Sequence, residues 1–231
     1  MSRQIILDTE TTGMDPVTGD RIVEIGCVEI IDRLLTGNHY HVYINPERDM
    51  PIEAFNVHGL SAEFLSDKPV FSEIAQGFLD YIDGSELIIH NASFDMKFLD
   101  YELELLGLPS LTSQCAVIDS LKLARDMYPG QRNSLDALCK RLGIDNSKRT
   151  LHGALLDSEI LAQVYLSMTG GQDSLFGGDI IEDESLNDQS VIINESVLLQ
   201  EKAVCFNHTR VIFATVEELN AHDAFVAKLK K

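Results

Sequence analysis

Asp8 and Glu10 stand one residue apart directly after a short apolar run, Ile5-Ile6-Leu7. Such a run reads as a buried β-strand, and on a strand residues two apart point to the same face. The two carboxylates therefore aim at one spot, where they repel unless positive charge sits between them. A hard divalent cation with oxygen ligands is the natural occupant. Thr11, Thr12 and Gly13 follow as a small polar turn where backbone could approach a ligand. Taken alone the pair is a common pattern, since acidic residues often mark a solvated strand end.

Two further clusters give the pair company. His90-Asn91-Ala92-Ser93-Phe94-Asp95 follows a second apolar run, Leu87-Ile88-Ile89. It precedes Phe94, Phe98, Leu99, Leu103 and Leu106 at helical spacing, which puts Asp95 at a strand-to-helix junction. An acid there also offsets the helix macrodipole, so the position has a purely structural reading. The third cluster, His152-Gly153-Ala154-Leu155-Leu156-Asp157, spaces a histidine and an aspartate five apart. That spacing does not share a helix face. If both serve one site, His152 lies on the loop before the helix or in its first turn, and Lys148-Arg149-Thr150 with Gly153 suggests a mobile loop. The alternative for His152 is a surface loop histidine.

Together these residues resemble the DEDD family of 3′–5′ exonucleases in its histidine subtype: Asp8 and Glu10, then Asp95, then His152 and Asp157, in the right order. The resemblance extends to the proofreading epsilon subunits of bacterial DNA polymerase III. It is carried by Asp8 to Met14, Phe55 to Gly59, Asn133 to Cys139 and Asn146 to Asp157, and it covers residues 3–171 closely and the rest loosely. It implies a ribonuclease-H-like fold and two divalent cations, Mg2+ or Mn2+, held by Asp8, Glu10, Asp157 and Asp95, the last directly or through water. It also implies His152 as general base and a nucleoside 5′-monophosphate product. Thr11, Thr12, Val57 and His58 are implied to contact the terminal nucleotide, with Asn91 and Phe94 as weaker candidates; Phe94 reads equally as a core side chain. The motifs do not separate DNA from RNA, which leaves an RNA exonuclease or oligoribonuclease as rival. A decayed, non-catalytic module is a second rival, opposed by the intactness of all five residues.

A net charge of −19 is unusual for a chain acting on phosphates. Bound cations would offset the acidic cluster, and much of the acidity lies elsewhere. Residues 171–201 hold no Lys or Arg, while Arg125, Arg132, Lys140, Arg141, Lys148 and Arg149 precede His152. Weak intrinsic DNA binding, aided by partners, is the expectation. The apolar fraction of 45% suffices for a core. Cys27, Cys115, Cys139 and Cys205 are scattered and expected to be reduced. No run of transmembrane length or leader is evident, so a soluble, cytoplasmic protein is expected. His39, His41, His90, His208 and His222 carry no motif.

The elements that must position these groups follow from periodicity. Residues 4–44 read as an antiparallel meander, with a strand from Arg21 to Ile31, a turn at Gly37-Asn38 and a strand from Tyr40 to Ile44. Phe71, Ile74, Ala75, Phe78, Leu79 and Ile82 form one helical face. A strand at Leu87–Ile89 follows, then a helix to about Leu106 and a strand near Cys115–Ile118. Helices are expected at Ser120–Met127, Ser134–Leu142 and Ala154–Met168. The whole predicts an α/β, ribonuclease-H-like mixed sheet flanked by helices. Residues 1–170 form the exonuclease domain, 171–202 an acidic flexible linker and 203–231 a docking segment. Gln172-Asp173-Ser174-Leu175-Phe176 resembles the bacterial clamp-binding pentapeptide through Gln172, Leu175 and Phe176. The docking segment pairs Val211-Ile212-Phe213 with a helix capped by Thr215 and Glu218. The resemblance implies the polymerase III alpha subunit, the sliding clamp, a small theta-type subunit and a DNA primer 3′ end as partners, and no membrane.

Overall fold

The structure is a computed structural model that describes residues 2–147 and 149–170. The expected linker, clamp pentapeptide and docking segment lie outside the described residues. Five strands form one sheet: β1 (Arg3–Thr11), β2 (Ile22–Ile31), β3 (Leu34–Tyr43), β4 (Glu86–Ile89) and β5 (Val117–Asp119). Their order is β3-β2-β1-β4-β5. The first three pair antiparallel, whereas β4 joins β1, and β5 joins β4, in parallel. Helices α1 (Ile52–His58), α2 (Ala62–Leu65), α3 (Phe71–Ile82), α4 (Ala92–Leu105), α5 (Ser120–Met127), α6 (Leu135–Leu142) and α7 (Ala154–Thr169) complete the layers.

The two-residue period of β1 assigns its side chains to two cores. Ile5 and Leu7 enter one with Phe71, Phe78, Phe98 and Leu99. Ile6 enters the other with Leu138, Ile160, Leu161 and Tyr165. Fully burying Phe78 or Phe98 contributes about 1.5–3 kcal/mol each. Parity carries past the apolar run: Asp8 and Glu10 share Ile6's face, toward α7, and Thr9 shares Leu7's, toward α4.

Gly26 lets α7 come close enough to use that parity. It pairs with Asp8 across the sheet, and a Cβ there would lie 2.2 Å from the backbone of Ala154 and Leu155. Ser158 Oγ donates to the Gly26 carbonyl at 2.9 Å, fastening the first turn of α7 onto β2.

The expected turn at Gly37-Asn38 is not where the chain reverses. Asp32 and Arg33, both at positive φ (48° and 67°), connect β2 to β3. This is the backbone a two-residue hairpin needs, usually supplied by Asn-Gly or Asp-Gly. Tertiary bonds hold it here. Ser2 N–H donates to Asp32 Oδ1, and the Arg33 guanidinium donates to Leu166 O and Thr169 Oγ1 at the end of α7. Gly37 instead sits inside β3, at φ 79°, where the pairing slips between Val28 and Ile30. The Gly-Asn signal marks a bulge, and β3 consequently begins at Leu34, not Tyr40. The other expected elements fall within a few residues of their observed bounds.

Candidate active site

Asp8 and Glu10 leave the end of β1, Asp95 lies in the first turn of α4, and Asp157 in the first turn of α7. His152 lies on the loop before α7, whose N-cap is Gly153, which decides between the two placements that the five-residue spacing allows. All five line one cavity of about 320 Å³. The loop is tied down by its backbone, since His152 N–H donates to Val57 O at 3.0 Å. Potential ligand atoms of Glu10, His152 and Asp157 lie within 4.8 Å of one another. Asp95 is aimed by Thr9, whose N–H and hydroxyl both donate to Asp95 Oδ1, at 3.1 and 2.7 Å.

Burial raises the Asp8 carboxyl well above its usual range, and Asp95, Glu10 and Asp157 push it further. Burial, with Asp157 and Glu24, lifts Glu10 to about 8. Asp95 reaches about 7 through burial, despite the bonds from Thr9. Repelling, desolvated carboxylates with so little counter-charge fit a hard divalent cation and would be strongly relieved by one.

The positive group present is Arg149, which sequence reasoning left as part of a mobile loop. Its guanidinium grips both oxygens of Asp157, with Nη2 to Oδ2 at 2.8 Å, and reaches Asp136 Oδ1 at 2.9 Å. Nη2 also donates to His152 Nδ1 at 2.8 Å, placing the histidine's own proton on Nε2. Asp136 was missed as well. Its only signal was membership of the Asn133 to Cys139 segment, where it reads as an ordinary helix-start acid.

A second cavity of about 460 Å³ shares Thr9, Glu10 and Phe94 with the first and is lined by Thr11, Thr12, Met14, Val57 and His58. Both threonine hydroxyls are already engaged, Thr11 with Gly13 O and Thr12 with Asp20 and Arg21. Burial lowers the pKa of His58; its Nδ1 accepts from Leu60 N–H, and its buried Nε2 lies near the Thr11 backbone without a normal hydrogen bond. Phe94 lines both cavities and is half-buried against Phe98. Asn91 caps α4 in the left-handed region and lines the acidic cavity. Of the histidines without a motif, His39 lies by Glu159, His41 by Glu24 and His90 by Ser120, while His208 and His222 lie outside the described residues.

The profile of the Exonuclease family (RNase_T) matches residues 5–165. DNA polymerase III subunit epsilon of Escherichia coli K12 is 52% identical over the whole chain and 95% of its own length. The Rickettsia conorii protein of that name is 49% identical over 99% of this chain and 97% of its own. The chain belongs to the polymerase III epsilon family of 3′–5′ exonucleases. The fold of this epsilon-family chain agrees: exonuclease X, solved with 5′-overhanging duplex DNA, superposes with a TM-score of 0.58 at 28% identity, over 73% of this chain and 92% of that one. Among the described residues of this family member, no helix is long and apolar enough to cross a membrane.

Proposed function

We propose that this chain proofreads DNA, removing mismatched nucleotides from a primer 3′ end as 5′-monophosphates. The observation that carries the reading is the convergence of Asp8, Glu10, Asp95, Asp157 and His152 on one cavity beside a pocket sized for a nucleotide. The four carboxylates would hold two divalent cations, Mg2+ or Mn2+. When bound, the cations supply Lewis acidity to water and to the phosphodiester. His152 takes the proton of the attacking water, and Arg149 must release Nδ1 for that nitrogen to accept it. Val57, His58, Thr11 and Thr12 hold the terminal nucleotide through shape and backbone, since the threonine hydroxyls are already bonded. Phe94 and Asn91 border its sugar and phosphate.

Beyond the described residues, Gln172, Leu175 and Phe176 engage the sliding clamp, and residues 203–231 dock on the polymerase alpha subunit. A small theta-type subunit completes the assembly in the cytoplasm. The epsilon name of the relatives supports this.

The test is digestion of matched, labelled DNA and RNA strands with and without chelator. Metal-dependent shortening of DNA from its 3′ end is expected, faster at mismatched than at paired termini because unpairing costs least there. Preferential digestion of RNA would instead favour the oligoribonuclease reading. Equal rates on paired and mismatched ends would remove the proofreading role.

A further inference from the structure

A third cavity, of about 420 Å³, adjoins the acidic one. It shares His90 and Ser134 with the acidic cavity and no lining residue with the second cavity. Its charged lining is Arg125, at the end of α5, and Arg132, on the loop to α6.

These two arginines are anomalous. Among the described residues, Arg3, Arg21, Arg48 and Arg149 are each bonded to a carboxylate, and Arg33 and Arg141 to amide or hydroxyl oxygens. The side chains of Arg125 and Arg132 are exposed and make no hydrogen bond or ion pair among those residues. In a chain of net charge −19, acidic partners for two arginines are plentiful, yet this notch keeps both free.

The shelf that presents them is rigid. Arg141 lies over the Tyr128 ring at 4.4 Å and donates to Asn133 Oδ1 at 3.0 Å and to the Arg132 carbonyl at 2.9 Å. Asn133 is buried and donates back to the carbonyls of Tyr128 and Gln131. The loop is thus pinned from three sides while the Arg132 guanidinium stays outside.

We propose that Arg125 and Arg132 form a subsite for the phosphodiester backbone of the strand upstream of its terminal nucleotide. This rests on the exonuclease reading of the acidic cavity. With the terminal nucleotide beside Val57 and His58 and the scissile phosphate at the carboxylates, the strand leaves past His90 and Ser134 and meets the two guanidiniums. Contacts of this kind position a strand without reading its sequence.

The test compares full-length wild type with Arg125→Ala/Arg132→Ala and Arg125→Lys/Arg132→Lys on two probes. One is a labelled single-stranded DNA oligonucleotide. The other is the p-nitrophenyl ester of thymidine 5′-monophosphate, which carries only the scissile phosphodiester. The alanine pair should raise KM on the oligonucleotide on the order of tenfold with kcat little changed. Its plot of log(kcat/KM) against log salt should be shallower by ~1.4, at ~0.7 per lost contact on a single strand. Ester hydrolysis should be unchanged, and the lysine pair should recover most of the oligonucleotide KM. Unchanged oligonucleotide kinetics and salt slope would overturn the proposal alone. Equal losses on both probes, in alanine and lysine pairs alike, would also overturn it and assign the arginines to the fold. If wild type cleaved neither probe, the exonuclease reading itself would fall and the subsite with it.

Discussion

Two cavities meet at the end of β1, sharing Thr9, Glu10 and Phe94, and they treat charge in opposite ways. The acidic cavity gathers carboxylates that burial and mutual repulsion drive toward protonation, with Arg149 as their counter-charge. The second cavity gathers Val57, Met14, Thr11 and Thr12 beside Glu53 and an Asp20 paired with Arg48, and its histidine is pushed toward neutrality. One region holds stored electrostatic repulsion that a cation would relieve; the other is built for shape. The same strand supplies both because its alternate side chains face different layers. The consequence is that the first region should trade stability for rate, and the second should affect binding alone.

Removing charge from the acidic side is the strongest way to test that contrast. Asp8→Asn and Asp157→Ala should each lower the exonuclease rate by roughly 10³–10⁴-fold. In chelator, Asp8→Asn should nevertheless melt above wild type, because it removes a buried carboxyl whose ionisation burial and three carboxylates oppose. A lower melting temperature with full loss of rate would show that the carboxylates brace the fold instead of straining it.

A smaller but still large effect is expected from Gly26→Ala. Its Cβ would collide with the backbone of α7, so the helix must shift, at about 1–3 kcal/mol. Asp157 moves with the helix, and kcat should fall while binding of a nucleoside 5′-monophosphate holds. Weakened nucleotide binding would mean that the two cavities are mechanically coupled.

The pH dependence of stability should carry opposite signs on the two sides. Glu10 and Asp95 have folded-state values raised to about 8 and about 7, from 4.5 and 3.8. Their contribution is fully present below the unfolded values and is lost as pH rises toward 8. In chelator, melting temperature should therefore fall between pH 5 and pH 8, and divalent cations should flatten the profile. His58, with its value lowered from 6.5, contributes above 6.5 and loses that contribution as pH falls. A metal-free profile flat from pH 5 to 8 would contradict the strain assigned to the carboxylates.

The mildest change is Val57→Ala on the shape side. Trimming this partly exposed side chain should cost about 1 kcal/mol of substrate binding, roughly fivefold in kcat/KM and mainly through KM. The backbone bond from His152 to Val57 O survives the substitution. A kcat effect would therefore point to movement of the His152 loop and erase the separation between cavities.

Much of this site was legible because its signals are local. The two-residue period of β1 sets Asp8 and Glu10 on one face, and the five-residue spacing confines His152 to the loop before α7 or its first turn. The apolar stripes of α3 and α4 read directly as buried faces, except for Leu106, which falls just past α4 and is exposed, because burial of a repeating face leaves its period in the chain. The hairpin was not legible: Asp32 and Arg33 take positive φ only because Ser2 and the end of α7 bond to them, while Gly37-Asn38 became a bulge. Arg149 and Asp136 escaped for the same reason. A long cation and a helix-start acid look alike on any surface until packing brings them to Asp157. The sequence by itself determined which groups could do chemistry and which faces they occupy, since side-chain period is a property of the local backbone. Only the tertiary structure decided which of them meet, because that depends on α7 settling against Gly26, a contact between positions far apart in the chain.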